Sequence, residues 1–362
     1  MCKTKKLIAF ILSVLMIFTM VPWASADEDS YTLEELIQRT ENNSSELNRL
    51  KKKTQRGEVT RDRAAAVRSN TPLGGSVGLE AIQARQAILN LMQEDLQLTM
   101  AQREVDVKEE QLSNEVLFLY FDIQQARRDL EEAKQKKELT EKETMLATIR
   151  QRFGKISRFE LKREMDRLEE VDIEISKAEQ KLEQAFEELN LKANLPLENR
   201  YAIIREEDEK PELPEVSRQV TRVLNNSPNI WLLEQQVELA TIGLRLYVYN
   251  ENLDPYSAQR IDIATAELAL SNARSGKEEL VRSLYNSLEQ METEKRDLEL
   301  ALTQLEDQRE VLVVRLDQGM TIPIELEKLD FQKQSLENAL KSIEEAEEKL
   351  QVQIMAPWAI AR

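Results

Sequence analysis

From Leu79 to Arg150 the chain carries neither proline nor glycine, and Leu91, Leu98, Val105, Leu112, Leu119, Ala126 and Ala133 fall at intervals of seven. An apolar position every seven residues keeps one stripe of a helix against a partner only if the two wind around each other with a left hand. The pattern predicts one coiled-coil helix. About 72 residues at 1.5 Å each make it roughly 108 Å long. Leu161, Leu168, Ile175, Leu182 and Leu189 continue the spacing in a second helix that ends near Asn194-Leu195-Pro196. The plan then returns. Leu284, Met291, Leu298, Leu305 and Leu312 mark a long helix to about residue 315, and Leu329, Leu336, Ile343 and Leu350 mark a shorter one. Ile82, Ile88, Phe118, Ile123 and Leu130 lie off the main stripe of the first long helix, which predicts more than one packing seam along it.

Each long helix is separated from the next by a glycine. Residues 150–161 read RQRFGKISRFEL and residues 315–326 read RLDQGMTIPIEL. At an offset of 165, Arg150 meets Arg315, Gly154 meets Gly319, Glu160 meets Glu325 and Leu161 meets Leu326. Glycine supplies the left-handed backbone that ends a helix, and Pro323 suits the first turn of the next, where no amide is needed. The expected result is two antiparallel hairpins with the glycines at their tips. The fold class is all-α, two sequence repeats of long coiled-coil hairpins.

Shorter helices open each half. Thr32-Leu33-Glu34-Glu35 is a capping box, and its helix is expected to run to about residue 68, with Gly57 as a weak point. SNTPLGGSVG, residues 69–78, reads as a loop. EEDEKPELP up to Pro214 reads as a polar linker, a helix is expected over about 214–249, and YNENLDPYS reads as a second loop. Asn42-Asn43-Ser44 recurs as Asn225-Asn226-Ser227, about ten residues into each opening helix. The division is residues 1–26, 27–210 for the first repeat, 211–355 for the second, and a tail at 356–362. The stretch MAPWAIAR, residues 355–362, is expected to fray, with Trp358 as a contact for a membrane surface or partner as the other reading.

The first 26 residues form a secretory signal: Lys3, Lys5 and Lys6, the apolar run LIAFILSVLMIF, and the small-residue site Ala24-Ser25-Ala26. The chain is therefore expected to be exported, with no direct membrane span once the signal is cleaved. The formal charge is −17, and losing three lysines with the signal takes it to −20. That speaks against nucleic acid or an anionic membrane surface as the main partner. The one cysteine, Cys2, leaves with the signal, and there is no histidine. Ser-His-Asp and Cys-His nucleophiles are thereby removed, with most zinc sites. No glycine-rich phosphate loop is present. No enzyme, cofactor or metal is expected, and the carboxylates read as solvated helix faces.

Taken together, these residues resemble the TolC-like outer-membrane efflux family. The resemblance rests on Thr32 to Glu35, on Glu41 to Leu47 with its partner Asn225 to Ile230, and on the doubled tip pattern Arg150, Gly154, Ser157, Glu160, Leu161 and Arg315, Gly319, Glu325, Leu326. Ile322 stands where that pattern has Ser or Thr, with Thr321 one place earlier. The resemblance covers 31–355. It implies a homotrimer forming a hollow helical tunnel. It also implies docking of a membrane-fusion adaptor of a pump at the tips. Those tip residues would be Arg150, Gly154, Lys155, Ile156, Ser157, Arg315, Gly319, Met320, Thr321, Ile322 and Pro323.

The family also inserts two membrane strands between the opening helix and the long helix of each repeat. A membrane strand takes about 9–11 residues, and neither SNTPLGGSVGL nor YNENLDPYSA can hold two. The barrel is expected to be missing. The reading is an exported conduit or scaffold of an efflux or secretion system in the cell envelope. Its place is the outer membrane or periplasm, or the cell-wall space where no outer membrane exists. A second reading is a non-channel coiled-coil stalk.

Overall fold

The structure, a computed structural model, describes residues 30–71, 79–206, 213–247 and 255–360. The signal segment and most of the two glycine- and asparagine-rich loops lie outside these residues, as does part of the acidic linker.

Eight helices and two short strands make up the described chain. The first half runs β1 (Ser30–Thr32), α1 (Leu33–Asn43), α2 (Ser45–Asn70), α3 (Leu79–Arg152), α4 (Arg158–Ala193) and β2 (Ala202–Ile204). The second runs α5 (Val216–Asn226), α6 (Pro228–Arg245), α7 (Tyr256–Asp317) and α8 (Pro323–Met355). Helix lengths of 11, 26, 74 and 36 residues in the first half are echoed by 11, 18, 62 and 33 in the second. Among the described residues, no helix is long and apolar enough to cross a membrane.

The heptads act as expected. On α3, Leu112, Leu119, Ala126 and Ala133 are buried, and the seven-residue step continues through buried Thr140 and Ala147. Small residues at the last four positions let α3 and α4 approach closely toward the tip. Ile123, off the stripe, is fully buried. α3 is in fact flanked on both sides. On one side lie α2 and α4, on the other α6 and α8, and α7 packs beyond those two. The layer thus has two open edges, one along α2 and α4 and one along α7.

The hairpins are antiparallel and pinned by charge. Glu115, Asp129 and Lys136 on α3 meet Lys192, Lys181 and Glu174 on α4, each at 2.6 Å. As numbers rise on one helix they fall on the other.

Two opening helices are broken where continuity was expected. Ser44 takes an extended backbone (φ −67°, ψ 107°), and its hydroxyl accepts from the Leu47 amide to start α2. Ser227 takes the same extended backbone between α5 and α6 (φ −66°, ψ 119°) but makes no side-chain cap bond, and Pro228 opens the first turn of α6. The twice-seen Asn-Asn-Ser is therefore a joint between helices. The residue before a proline is driven out of the helical region, which accounts for Ser227. Hydroxyl capping accounts for Ser44.

The tail is not frayed. Ala356 and Ala359 are buried, and the Trp358 indole donates to the Glu110 carboxylate on α3 at 2.8 Å. Its ring packs against Val220, Val223 and Val281. Trp358 serves the fold from inside the chain.

Two strands were also not expected. β1 and β2 pair in parallel, with Tyr31 opposite Ile203. They cover a core of Leu36, Val116, Ile123, Phe186, Leu189 and Tyr201 at the base of the first hairpin. Tyr201 meets Phe186 and Tyr31 edge-on at 5.6 and 4.8 Å. Its hydroxyl donates to Asn190 Oδ1 at 2.9 Å, and Asn190 Nδ2 in turn donates to the carbonyls of Leu197 and Asn199. Asn194 closes α4 in the left-handed conformation at φ 53°.

Burial pushes the Tyr201 phenol up to about 12. A folded-state value above the unfolded one leaves stability unaffected below pH 10. Stability is then lost as pH rises from 10 toward 12, because only the unfolded chain ionises there. Unfolding midpoints followed by circular dichroism between pH 9 and 12 are expected to fall less steeply for Tyr201→Phe than for the parent.

Candidate hairpin-tip site

The two tips are built by one backbone device. At the first, the Gly154 amide donates to the Gln151 carbonyl at 2.9 Å and the Lys155 amide to the Arg150 carbonyl at 2.8 Å. At the second, the Gly319 amide donates to Leu316 at 2.9 Å and the Met320 amide to Arg315 at 2.8 Å. These paired bonds close the last helical turn around a left-handed residue. Gly154 and Gly319 hold φ +68° and +67°. A Cβ at either would meet nothing within 4 Å, so the glycines answer to backbone conformation and not to crowding.

The following helices start differently. Ser157 caps α4: its hydroxyl accepts from the Glu160 amide at 3.1 Å, and its own amide donates to the Glu160 carboxylate at 2.7 Å. The Ser157 amide, and after it the Ser157 hydroxyl, hold the Glu160 carboxyl below the usual carboxylate range. At the second tip Ile322 occupies the cap without a side-chain bond, and Pro323 opens α8. The hydroxyl missing from position 322 is compensated by a residue that needs no capped amide.

The tips lie side by side. Lys142 on α3 meets Glu327 on α8 at 2.7 Å, and Lys328 on α8 meets Glu143 on α3 at 2.7 Å. These bonds raise both lysine pKa values. Between the hairpins is a cleft of about 280 Å³. Arg150, Ile156 and Glu160 line it from the first tip, Ile324, Glu325 and Lys328 from α8, and Arg163 and Arg167 from α4. Of the tip residues expected from sequence, Arg150 and Ile156 share this cleft. Gly154, Lys155 and Ser157 form the exposed apex of the first tip. Arg315, Gly319, Met320, Ile322 and Pro323 are exposed at the second, with Thr321 half-buried. The cross-hairpin residues Lys142, Glu143, Glu327 and Lys328 escaped the sequence reading. The signal for them was opposite charge flanking the apolar stripes of α3 and α8.

Higher up, the same seam carries more rungs. Arg128 holds Glu345 with two bonds of 2.6 and 2.5 Å. Glu132 accepts from Ser335 at 2.7 Å and Asn338 at 3.0 Å, and Lys349 meets Asp122 at 2.6 Å. Among the described residues, no group of histidine, cysteine or acidic side chains is arranged to hold a metal ion.

No protein-family model and no curated protein matches the chain in sequence. Solved structures do match in shape. CusC, which forms a transmembrane channel, superimposes over 91% of this chain and 92% of its own at a TM-score of 0.66, with 13% identity. The outer membrane protein VceC of Vibrio cholerae does so over 90% and 95% at 0.65, with 11% identity. The CmeC outer membrane channel of Campylobacter jejuni does so over 91% and 86% at 0.60, with 10% identity. The fold is that of the TolC-type outer-membrane channels. Within that fold, eight residues separate Asn70 from Leu79 and ten separate Arg245 from Tyr256. Neither interval can hold two membrane strands of about 9–11 residues.

Replacing Gly154 with alanine forces a Cβ into the left-handed region at about 1–2 kcal/mol. Amide hydrogen exchange over residues 150–160 is expected to quicken several-fold in Gly154→Ala, and less in Gly154→Asn, which tolerates that conformation better. Ser157→Ala is expected to quicken exchange at the start of α4. In the parent the added protection from Glu160 is present at neutral pH and lost as pH falls through its lowered pKa.

Proposed function

We propose that the protein is a wall subunit of an exported, barrel-less helical conduit in an efflux or secretion system. In this reading it docks a membrane-fusion adaptor through its hairpin tips. The observation that carries the reading is the layer with two unlike open edges. The edge along α2 and α4 exposes Val59, Val67, Met165 and Ile173, and the edge along α7 exposes Ile261, Leu268, Leu300 and Val311. Contact between unlike edges is head-to-tail, and repeated rotation closes a ring. Three copies, as the resemblance implies, would close a tunnel. The work is geometric, with no catalytic step. The shared fold with outer-membrane channels supports the wall role, and the paired tips at one end offer the adaptor a surface built from both repeats.

The mass of the exported chain in solution tests this, read by light scattering with and without detergent. A detergent-independent trimer is expected, and Leu300→Glu with Val311→Glu is expected to reduce it to monomer. An elongated monomer at high concentration would remove the lumen and leave the non-channel stalk as the better reading. Adaptor docking is checked by photo-cross-linking from position 320 in the native host, where loss of any hairpin-bearing adaptor from the products would count against it.

A further inference from the structure

The two tips share a backbone and differ in charge. Residues 150–163 hold Arg150, Arg152, Lys155, Arg158, Lys162 and Arg163 against one acid, Glu160. The equivalent 315–328 hold two cations and three acids. At the offset of 165, Arg152 becomes Asp317, Lys162 becomes Glu327, Lys155 becomes Met320 and Arg158 becomes Pro323. Since the second tip makes the same turn with those residues, the fold does not require the cations of the first. All six are exposed, and among the described residues none makes an ion pair within 4 Å, although Arg163 acts on Glu160 at longer range and the cations just behind them on both hairpins are paired. Phe153 and Phe159 flank the turn at 77% and 75% exposure.

We propose that the first hairpin tip, where no adaptor covers it, is a docking surface for anionic phospholipid. Exposed aromatic rings beside lysine and arginine are the composition that seats a segment at a charged bilayer surface. Each cation near such a surface contributes about 1 kcal/mol. The shape agrees. Gly154, Lys155 and Ser157 stand exposed at the apex, with open space around Gly154, so a broad, yielding surface can reach them without entering the cleft between the hairpins. The chain as a whole is acidic, at −17, and would be repelled. However, fields are screened within about 8 Å at physiological salt, and α3 carries the tip roughly 110 Å from its own start. Residues 150–163 bring +5 to this end and the adjoining 315–328 bring −1, so the paired tips carry a local surplus of cations. One chain carries the whole surface, so the inference does not depend on closure of a tunnel.

The test is vesicle co-flotation with the exported chain recovered after signal removal. Vesicles of 30% phosphatidylglycerol in phosphatidylcholine are compared with phosphatidylcholine alone. Binding to the anionic vesicles is expected at 50 mM salt, with little at 500 mM and none to the neutral ones. Arg152→Asp with Lys162→Glu installs the residues of the second tip and takes the local charge from +5 to +1. Because that turn folds with these residues, helicity is expected to be unchanged while binding falls at least tenfold. Phe153→Gln is expected to weaken binding several-fold at every salt concentration. Absence of binding to anionic vesicles at low salt would overturn the proposal, as would a charge-reversed variant that binds like the parent. Retention on an acidic protein with no affinity for vesicles would overturn it in favour of an acidic partner.

Discussion

Heptad repeats make good seams and poor rulers. Two neighbouring hairpins whose apolar positions recur every seven residues can slide past each other by seven and still bury leucine against leucine. What holds this molecule to one register is the polar seam between α3 and α8. From Asp122 and Lys349, through Arg128 and Glu345, to the crossed pairs Lys142–Glu327 and Glu143–Lys328, numbers rise along α3 as they fall along α8. A seven-residue slip would separate every one of them. Arg128 and Glu345, only 17% and 18% exposed, form the rung least able to tolerate it, because an unpaired charge left there would cost several kcal/mol. The seam stabilises little beyond what apolar packing would. Its role is to choose the alignment.

Alignment decides everything at the far end. The glycine turns are local, and each would form in an isolated hairpin. That they come to the same height, with Lys142 and Glu327 bonded across the gap, follows from the register above them. So does the cleft that gathers side chains from three helices. The two open edges depend on it as well, since exposed apolar residues on α4 and α7 can meet a neighbouring copy only if the hairpins end level. The cations on the first tip are the one part of this end that the seam does not explain.

Much of this was legible in the chain. Intervals of seven named α3, α4, α7 and α8, and the doubled glycine placed both turns. A capping box placed the start of α1, where a side chain and an amide three residues apart settle the matter alone, whereas the same box at Ser157 and Glu160 was read only as part of the tip pattern. Reading failed where the cause was distant or brief. Ser44 looks like a helical residue until its hydroxyl is seen to cap α2, although Pro228 in the other copy carried a readable warning at Ser227. A three-residue strand such as β1 has no period to detect, and it exists because Ala202–Ile204 comes back beside it. Trp358 packs because Val220, Val281 and Glu110 surround it, and none is near it in sequence. Composition also misled by averaging: a net charge of −17 conceals six cations against one acid in one fourteen-residue stretch.

The docked tail has a bearing on how the molecule comes into being. A polypeptide is made from its N-terminus, and the first hairpin can zip as soon as α4 has followed α3. Its other flank must wait. Arg128 lies 217 residues from Glu345, and Glu110 lies 248 from Trp358. Until the last segment arrives, α3 stands with a row of bare charges and an uncovered apolar shoulder, a half-built object open to the wrong companion. The indole acts as a latch, and it can shut only once the chain has been made as far as Trp358, 248 positions beyond the Glu110 it bonds.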